Sequence, residues 1–311
     1  MRNTLWILFA IAVGSALGFL VTPEAIGQAP RPAPKGAITG KLALYDRQGK
    51  IVKTVGESAE YRTITLSPDG KRIGVERTDA SQNRDIVLID IATGKTTRFT
   101  SDPGWDAFPL WSPDGKRMIF TSNRGSNLYN LYEKPVDGSK DEVLFFKSAE
   151  SEGPTSWSRD GRYLLYYSLG QPTHGKVLAV NGPPDRQPIP IVDPKFTSIT
   201  PRFSPDGRWI AYTTNESGKN GISVRPFDSA TGAVGAAIIV SGNGGRTPLW
   251  RGDGKEMFYL DEDGTVIARE VTTKNGFHAG DPVRLFKVST AVAFWDATPD
   301  GKRFVMPVAD H

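Results

Sequence analysis

Histidine, the usual proton carrier at neutral pH, occurs at His174, His278 and His311, well separated along the chain. No Gly-x-Ser-x-Gly elbow accompanies them, so a Ser-His-Asp nucleophile has no place to form. Gly242-Asn243-Gly244-Gly245 lacks the Lys-Ser/Thr that would hold a phosphate and its metal. Cysteine is absent, which excludes thiolate zinc sites, disulfides and a lipid-modified cysteine. What remains is charge beside aromatic surface. Asp261-Glu262-Asp263-Gly264 reads as a tight polar hairpin. By contrast, Asp106, Glu152 and Asp296, with Arg62, Trp105, Phe108, Arg246 and Trp295, fall at or near the start of segments that lead into a recurring turn. Aromatic faces among charges of both signs suit the gripping of a peptide or an extended polar ligand, by stacking and charge-assisted hydrogen bonds. If the three carboxylates converged, they would instead offer oxygen ligands to Ca²⁺.

The turn occurs six times, as Ser67-Pro-Asp-Gly70, Ser112-Pro-Asp-Gly115, Ser158-Arg-Asp-Gly161, Ser204-Pro-Asp-Gly207, Arg251-Gly-Asp-Gly254 and Thr298-Pro-Asp-Gly301. Successive Asp residues are 45, 46, 46, 47 and 47 positions apart, the mark of an array of equivalent units. Pro presets the turn, Asp bonds local backbone, and Gly takes the left-handed conformation. Lys or Arg follows every Gly, as expected at the start of an exposed strand.

Each unit reads as four short strands. In the second, residues 107–111, 117–121, 127–134 and 142–146 are rich in aromatic, Leu and β-branched residues. Residues 41–45 and 50–55 resemble third and fourth strands with no turn before them, and residues 291–297 and 303–308 supply first and second strands only. The expectation is an all-β six-bladed β-propeller of four-stranded antiparallel blades, closed by a composite blade with two strands from each terminus. In that ring the first strands are innermost, and Arg62, Trp105, Asp106, Phe108, Glu152, Arg246, Trp295 and Asp296 stand at the channel mouth. Trp111, Trp157, Phe203 and Trp250, each just before its turn, are expected to pack between blades.

Ahead of the array, basic Arg2, an apolar run from Leu5 to Val21 and Ala25-Ile26-Gly27 have the layout of a secretory signal peptide, 1–27. The run is also close to the length of a spanning helix, which keeps an uncleaved anchor as the alternative. Residues 28–36 form a Pro-rich linker, and the propeller occupies 37–311. With 38 basic and 34 acidic residues and no like-charge block, nucleic acid is not an expected partner.

Trp111-Ser-Pro-Asp-Gly-Lys-Arg-Met-Ile-Phe-Thr-Ser-Asn-Arg-Gly and Phe203-Ser-Pro-Asp-Gly-Arg-Trp-Ile-Ala-Tyr-Thr-Thr-Asn are similar to the repeat of the periplasmic TolB-like propellers. The same repeat serves in the propeller halves of oligopeptidase-like enzymes and in bacterial sensors, so it implies a fold more narrowly than a role. The expected function is a periplasmic or secreted non-enzymatic module, a monomer without cofactor, that binds a protein or peptide of the cell envelope at the channel mouth. No membrane span is expected once the signal is cleaved. The alternatives are a Ca²⁺-dependent propeller hydrolase of lactonase type and the propeller part of a larger sensor or peptidase system.

Overall fold

Each turn is built from its own side chains. The Ser67 hydroxyl donates to Asp69 Oδ1 over 2.6 Å and accepts the Arg72 N–H at 2.9 Å, while Asp69 Oδ1 accepts the Lys71 N–H at 3.1 Å. The Gly70 N–H closes the turn on Ser67 O at 2.8 Å, with Gly70 at φ 68°, where a side chain would be strained. The same bonds recur around Ser112, Ser158, Ser204 and Thr298. At Arg251 the hydroxyl is replaced by a guanidinium, whose Nε donates to Asp253 Oδ1 at 2.7 Å.

The computed structural model describes residues 38–147, 149–168, 173–182, 187–241, 244–289 and 292–310. The expected signal segment 1–27 and linker 28–36 lie outside the described residues. Within them the regular elements are β-strands, hydrogen-bonded antiparallel. One sheet runs, in order, through Asp106–Trp111, Arg117–Ser122, Asn130–Pro135 and Val143–Phe146. Two more four-stranded sheets begin at Glu152–Trp157 and Ser198–Phe203, and a further sheet begins at Arg246–Trp250.

The remaining sheet has seven strands, and the two ends of the array meet in it. Ile38–Asp46 lies between Ile51–Leu66 and the C-terminal Arg303–Ala309, with Gly40 opposite Ala309 and Asp46 opposite Arg303. Ile51–Leu66 is a single 16-residue strand, although the sequence reads its halves as the end of one unit and the start of the next. Residues 51–61 pair back to Ile38–Asp46 and residues 60–66 forward to Arg72–Thr78. Of the strand expected over 291–297, residue 291 lies outside the described residues, and among 292–297 only Asp296–Ala297 is strand; Trp295 turns into the core, where its indole N–H donates to Thr247 O at 3.1 Å and to Thr247 Oγ1 at 2.8 Å.

The apolar side chains collect between neighbouring sheets, as expected of stacked sheets whose inner faces exclude water. Trp157 and Leu164 meet Leu110, Ile119 and Leu131 of the preceding sheet, and Phe203 and Ile210 meet Leu165 and Val177. Trp111 packs with Ile86, Leu88 and Met118, and Trp250 against Met257 and Ala211. At the junction of the chain ends, Leu42, Leu44 and Val305 share a cluster with Ile64, Ile73 and Val87.

Candidate functional site

The first strand of most sheets is bulged at its middle. Pairing with the second strand shifts between Tyr61 and Ile64, Ala107 and Leu110, Pro154 and Ser156, Ile199 and Arg202, and Arg246 and Leu249. A bulge re-aims the side chain it carries, and bulges are frequent beside functional sites. Here Phe108, Thr200 and Thr247 take left-handed φ values of 52°, 51° and 52°, each directly before a proline. Holding non-glycine residues there costs on the order of 1–3 kcal/mol each, so the surroundings must impose it. They do so with hydroxyls: the Phe108 N–H donates to Thr63 Oγ1 at 3.1 Å, and the Thr247 N–H to Thr213 Oγ1 at 3.0 Å.

Thr63 passes the contact on. Its hydroxyl donates to Glu76 Oε2 at 3.0 Å, and Glu76 is only 2% exposed. The other Glu76 oxygen has Arg84 Nη1 at 3.5 Å and Arg62 Nε at 3.9 Å, and Arg62 also pairs with Glu60. Burial pushes the Glu76 carboxyl up, opposed by Arg84, the Thr63 hydroxyl and Arg62. The Arg84 guanidinium lies 4.1 Å from the Trp105 ring centroid. The half-buried Phe108 ring stands edge-on to Tyr167 and to Phe294, each at 5.9 Å between centroids. Gly153 leaves room for this group, since a Cβ there would lie 3.3 Å from Tyr167 Cζ and 3.4 Å from Phe108 Cδ1. Burial, then the Glu76 charge, pushes the Tyr167 hydroxyl up, and Arg202 opposes them.

Arg62, Trp105 and Phe108 are thus brought together, around a Glu76 that the sequence reading passed over. Arg246 bonds Val292 O at 3.2 Å and Asp261 O at 3.3 Å, and Val292 stands two residues before Phe294 in the chain. The other four go elsewhere. Asp106 is fully buried and takes two bonds from Arg124 Nη2, at 3.0 and 2.9 Å, so its carboxylate closes an ion pair inside its sheet. Glu152 is also fully buried, its N–H donating to Tyr129 O at 3.0 Å. Trp295, 2% exposed, belongs to the core with Phe304 and Leu249. Asp296 sits at the opposite end of the first strands, where its Oδ2 accepts the Leu66 N–H at 2.7 Å. The three carboxylates considered as Ca²⁺ ligands are therefore not one cluster. Among the described residues no group of three or more His, Asp or Glu side chains is placed to hold a metal.

A repeat alignment could have found two of the missed residues. Glu76 and Tyr167 are each the sixth residue after a turn Gly, a place filled elsewhere by Thr121, Thr213, Leu260 and Pro307. A charge at a position otherwise uncharged is a departure legible in the sequence. Phe294 has no such signal, because no proline or bulge marks its register.

At the other end of the first strands lies a cavity of about 370 Å³. Its rim carries Pro68, Pro113, Arg159, Pro205, Gly252 and Pro299, the second residue of each of the six turns, and Arg202 and Asp296 face it from within. Pro299 bridges the last turn to two others, accepting the Gly252 N–H at 2.8 Å and lying 3.5 Å from where a Gly70 Cβ would be.

Comparison with known proteins matches residues 44–183 to a family described as the TolB beta propeller domain. The Tol-Pal system protein TolB of Francisella tularensis is 25% identical over 292 residues, 88% of this chain and 61% of that protein. An uncharacterized peptidase of Bacillus subtilis, YuxL, is 25% identical over 185 residues, which cover 58% of this chain and 26% of the relative. The chain therefore spans less than two thirds of the length of each of these relatives. Among solved structures, TolB from Acinetobacter baumannii superposes with a TM-score of 0.58 at 19% identity, over 88% of this chain and 65% of that one, a likeness of fold. Residues 44–183 thus match the TolB beta propeller domain, and the recurring turns and antiparallel four-stranded sheets make the chain similar in fold to the TolB-like propellers.

Proposed function

We propose that the chain is an exported, non-enzymatic six-bladed propeller, closed by a composite blade, that binds an extended peptide segment of an envelope protein at the strand-start end of its axis. The closed ring is supported by the pairing of Ile38–Asp46 with Arg303–Ala309 and by the rim that all six turns share. The observation that carries the binding reading is the strained bulge at Phe108. It presents a half-buried ring with Phe294 and Tyr167, next to the Arg62, Glu76 and Arg84 charges. Aromatic edges offer stacking to a peptide side chain, and Arg62 offers donors to its backbone carbonyls or carboxylates. The Tol-Pal name of the relatives supports a place in the envelope, and the reading includes action as a monomer. Among the described residues no helix is long and apolar enough to cross a membrane.

The test is capture of partners from envelope extracts by the unaltered protein and by Phe108→Ala and Arg62→Ala, with melting curves to establish folding. Both variants are expected to lose a partner that the unaltered protein retains. If both keep every partner while folded, this end of the axis is not the recognition surface. Turnover of lactone or ester substrates that depends on a stoichiometric bound cation would overturn the non-enzymatic reading.

A further inference from the structure

The position two residues before each turn is filled by Thr65, Leu110, Ser156, Arg202, Leu249 and Asp296. Charge therefore enters this layer at two places, with opposite signs, and both open onto the cavity on the turn side. The two do not close into a direct ion pair. Arg202 spends Nη1 on Thr155 O at 2.5 Å, and its Nε is buried without a hydrogen-bond partner. Asp296 receives one backbone N–H on each oxygen, from Leu66 at 2.7 Å and from Ala297 at 2.8 Å, which leaves acceptor capacity on both. Leu110, Trp111, Trp157 and Phe203 make the wall between them apolar.

We propose that this cavity binds a small apolar α-zwitterion, a free amino acid or dipeptide, whose carboxylate meets Arg202 and whose ammonium meets Asp296. A ligand with only one charge would gain one contact and meet like charge at the other. One with both meets the guanidinium charge and the open carboxylate lone pairs together, in a space that water shares poorly with the indoles. Arg159, exposed on the rim, adds a solvated positive charge that favours the carboxylate end at long range. The volume of about 370 Å³ admits such a molecule and excludes a folded partner. This site is separate from the strand-start end and does not depend on the peptide reading made for it.

Calorimetric titration and the fluorescence of Trp111 and Trp157 test it with L-leucine, glycyl-L-leucine, N-acetyl-glycyl-leucine and glycyl-leucine amide. At least one of the uncapped molecules is expected to bind, and capping either end is expected to weaken binding about tenfold or more, the loss of one charge-assisted contact. Leucine against glycyl-leucine decides which of the two sizes the cavity takes. Arg202→Met, which keeps the stem, is expected to abolish binding while retaining a cooperative melt. The proposal is overturned if neither uncapped molecule binds at millimolar concentration, if the capped forms bind equally well, or if folded Arg202→Met binds as before. The comparison of capped with uncapped ligands uses the unaltered protein, so it decides the matter even if the variant fails to fold.

Discussion

Asp114 and Glu76 are both carboxylates beside a strand, and their surroundings act on them in opposite senses. The Ser112 hydroxyl, then the Lys116 N–H, holds Asp114 below the usual carboxylate value of 3.8. The unfolded chain therefore binds this proton more readily, and the stability that the ionised group contributes is present above that value and lost as pH falls through the lower folded one. Glu76 behaves in reverse, because burial dominates: its contribution is greatest below its unfolded value and is lost as pH rises through the raised one. Asp114→Asn should flatten the fall in stability as pH drops below about 4, read as urea midpoints against pH, without moving the neutral slope. An unchanged acid limb in this variant would refute the assignment of the turn Asp as an acid-labile brace. At the same scale, the sequence offered Arg62, Trp105 and Phe108 among eight residues for the channel mouth, and the structure gathers these three around a buried Glu76 that was not among them.

The first strands explain why some of the residues chosen by register converge and others do not. A bulge puts two residues opposite one, so that side chains before and after it no longer alternate in step. Trp105-Asp106 stands six residues before its turn Ser, whereas the same dipeptide Trp295-Asp296 stands two before Thr298. Taken as equivalents in sequence, they lie at opposite ends of a strand, one aspartate inside its sheet and the other over the turn-side cavity. Elements held by repeated turns were legible, since the strand expected over 117–121 is found as Arg117–Ser122 and that over 142–146 as Val143–Phe146. The long Ile51–Leu66 was not, because Gly56-Glu57-Ser58 reads as a break between two strands, whereas the strand runs on through Gly56 at φ 77°. Pairing of the terminal strands buries Leu44 to 1% exposure, against Val305. Leu44→Ala should cost roughly 2–5 kcal/mol in equilibrium unfolding, as truncation in a packed core does. A loss under about 1 kcal/mol would mean that the terminal pairing is peripheral to stability.

For the molecule as a whole, the fold was readable because a single instruction, the turn, is written six times with nearly constant spacing. The proposed ligand chemistry was not, because the residues that carry it are departures from the repeat. If the ends of the array are held together by the sheet rather than by their order in the chain, where the chain begins is immaterial. A permuted chain that joins residue 310 to residue 38 by a short flexible linker, opened between the exposed Gly138 and Ser139, should fold with stability within about 1–2 kcal/mol of the parent. Failure of this variant to melt cooperatively would count against the composite sheet as an autonomous closure.

Gly40 lies opposite Ala309, and the antiparallel ladder runs from that pair inward to Asp46 and Arg303. Tension applied at both ends of the array would thus load the outermost rung first and part the ladder pair by pair, as a zip opens, rather than sliding strands lengthwise against every bond at once. Such a geometry yields at low force and can re-form from its inner end. An N-terminal tether alone would leave it unloaded, whereas a grip on both ends would make it the place where the molecule opens.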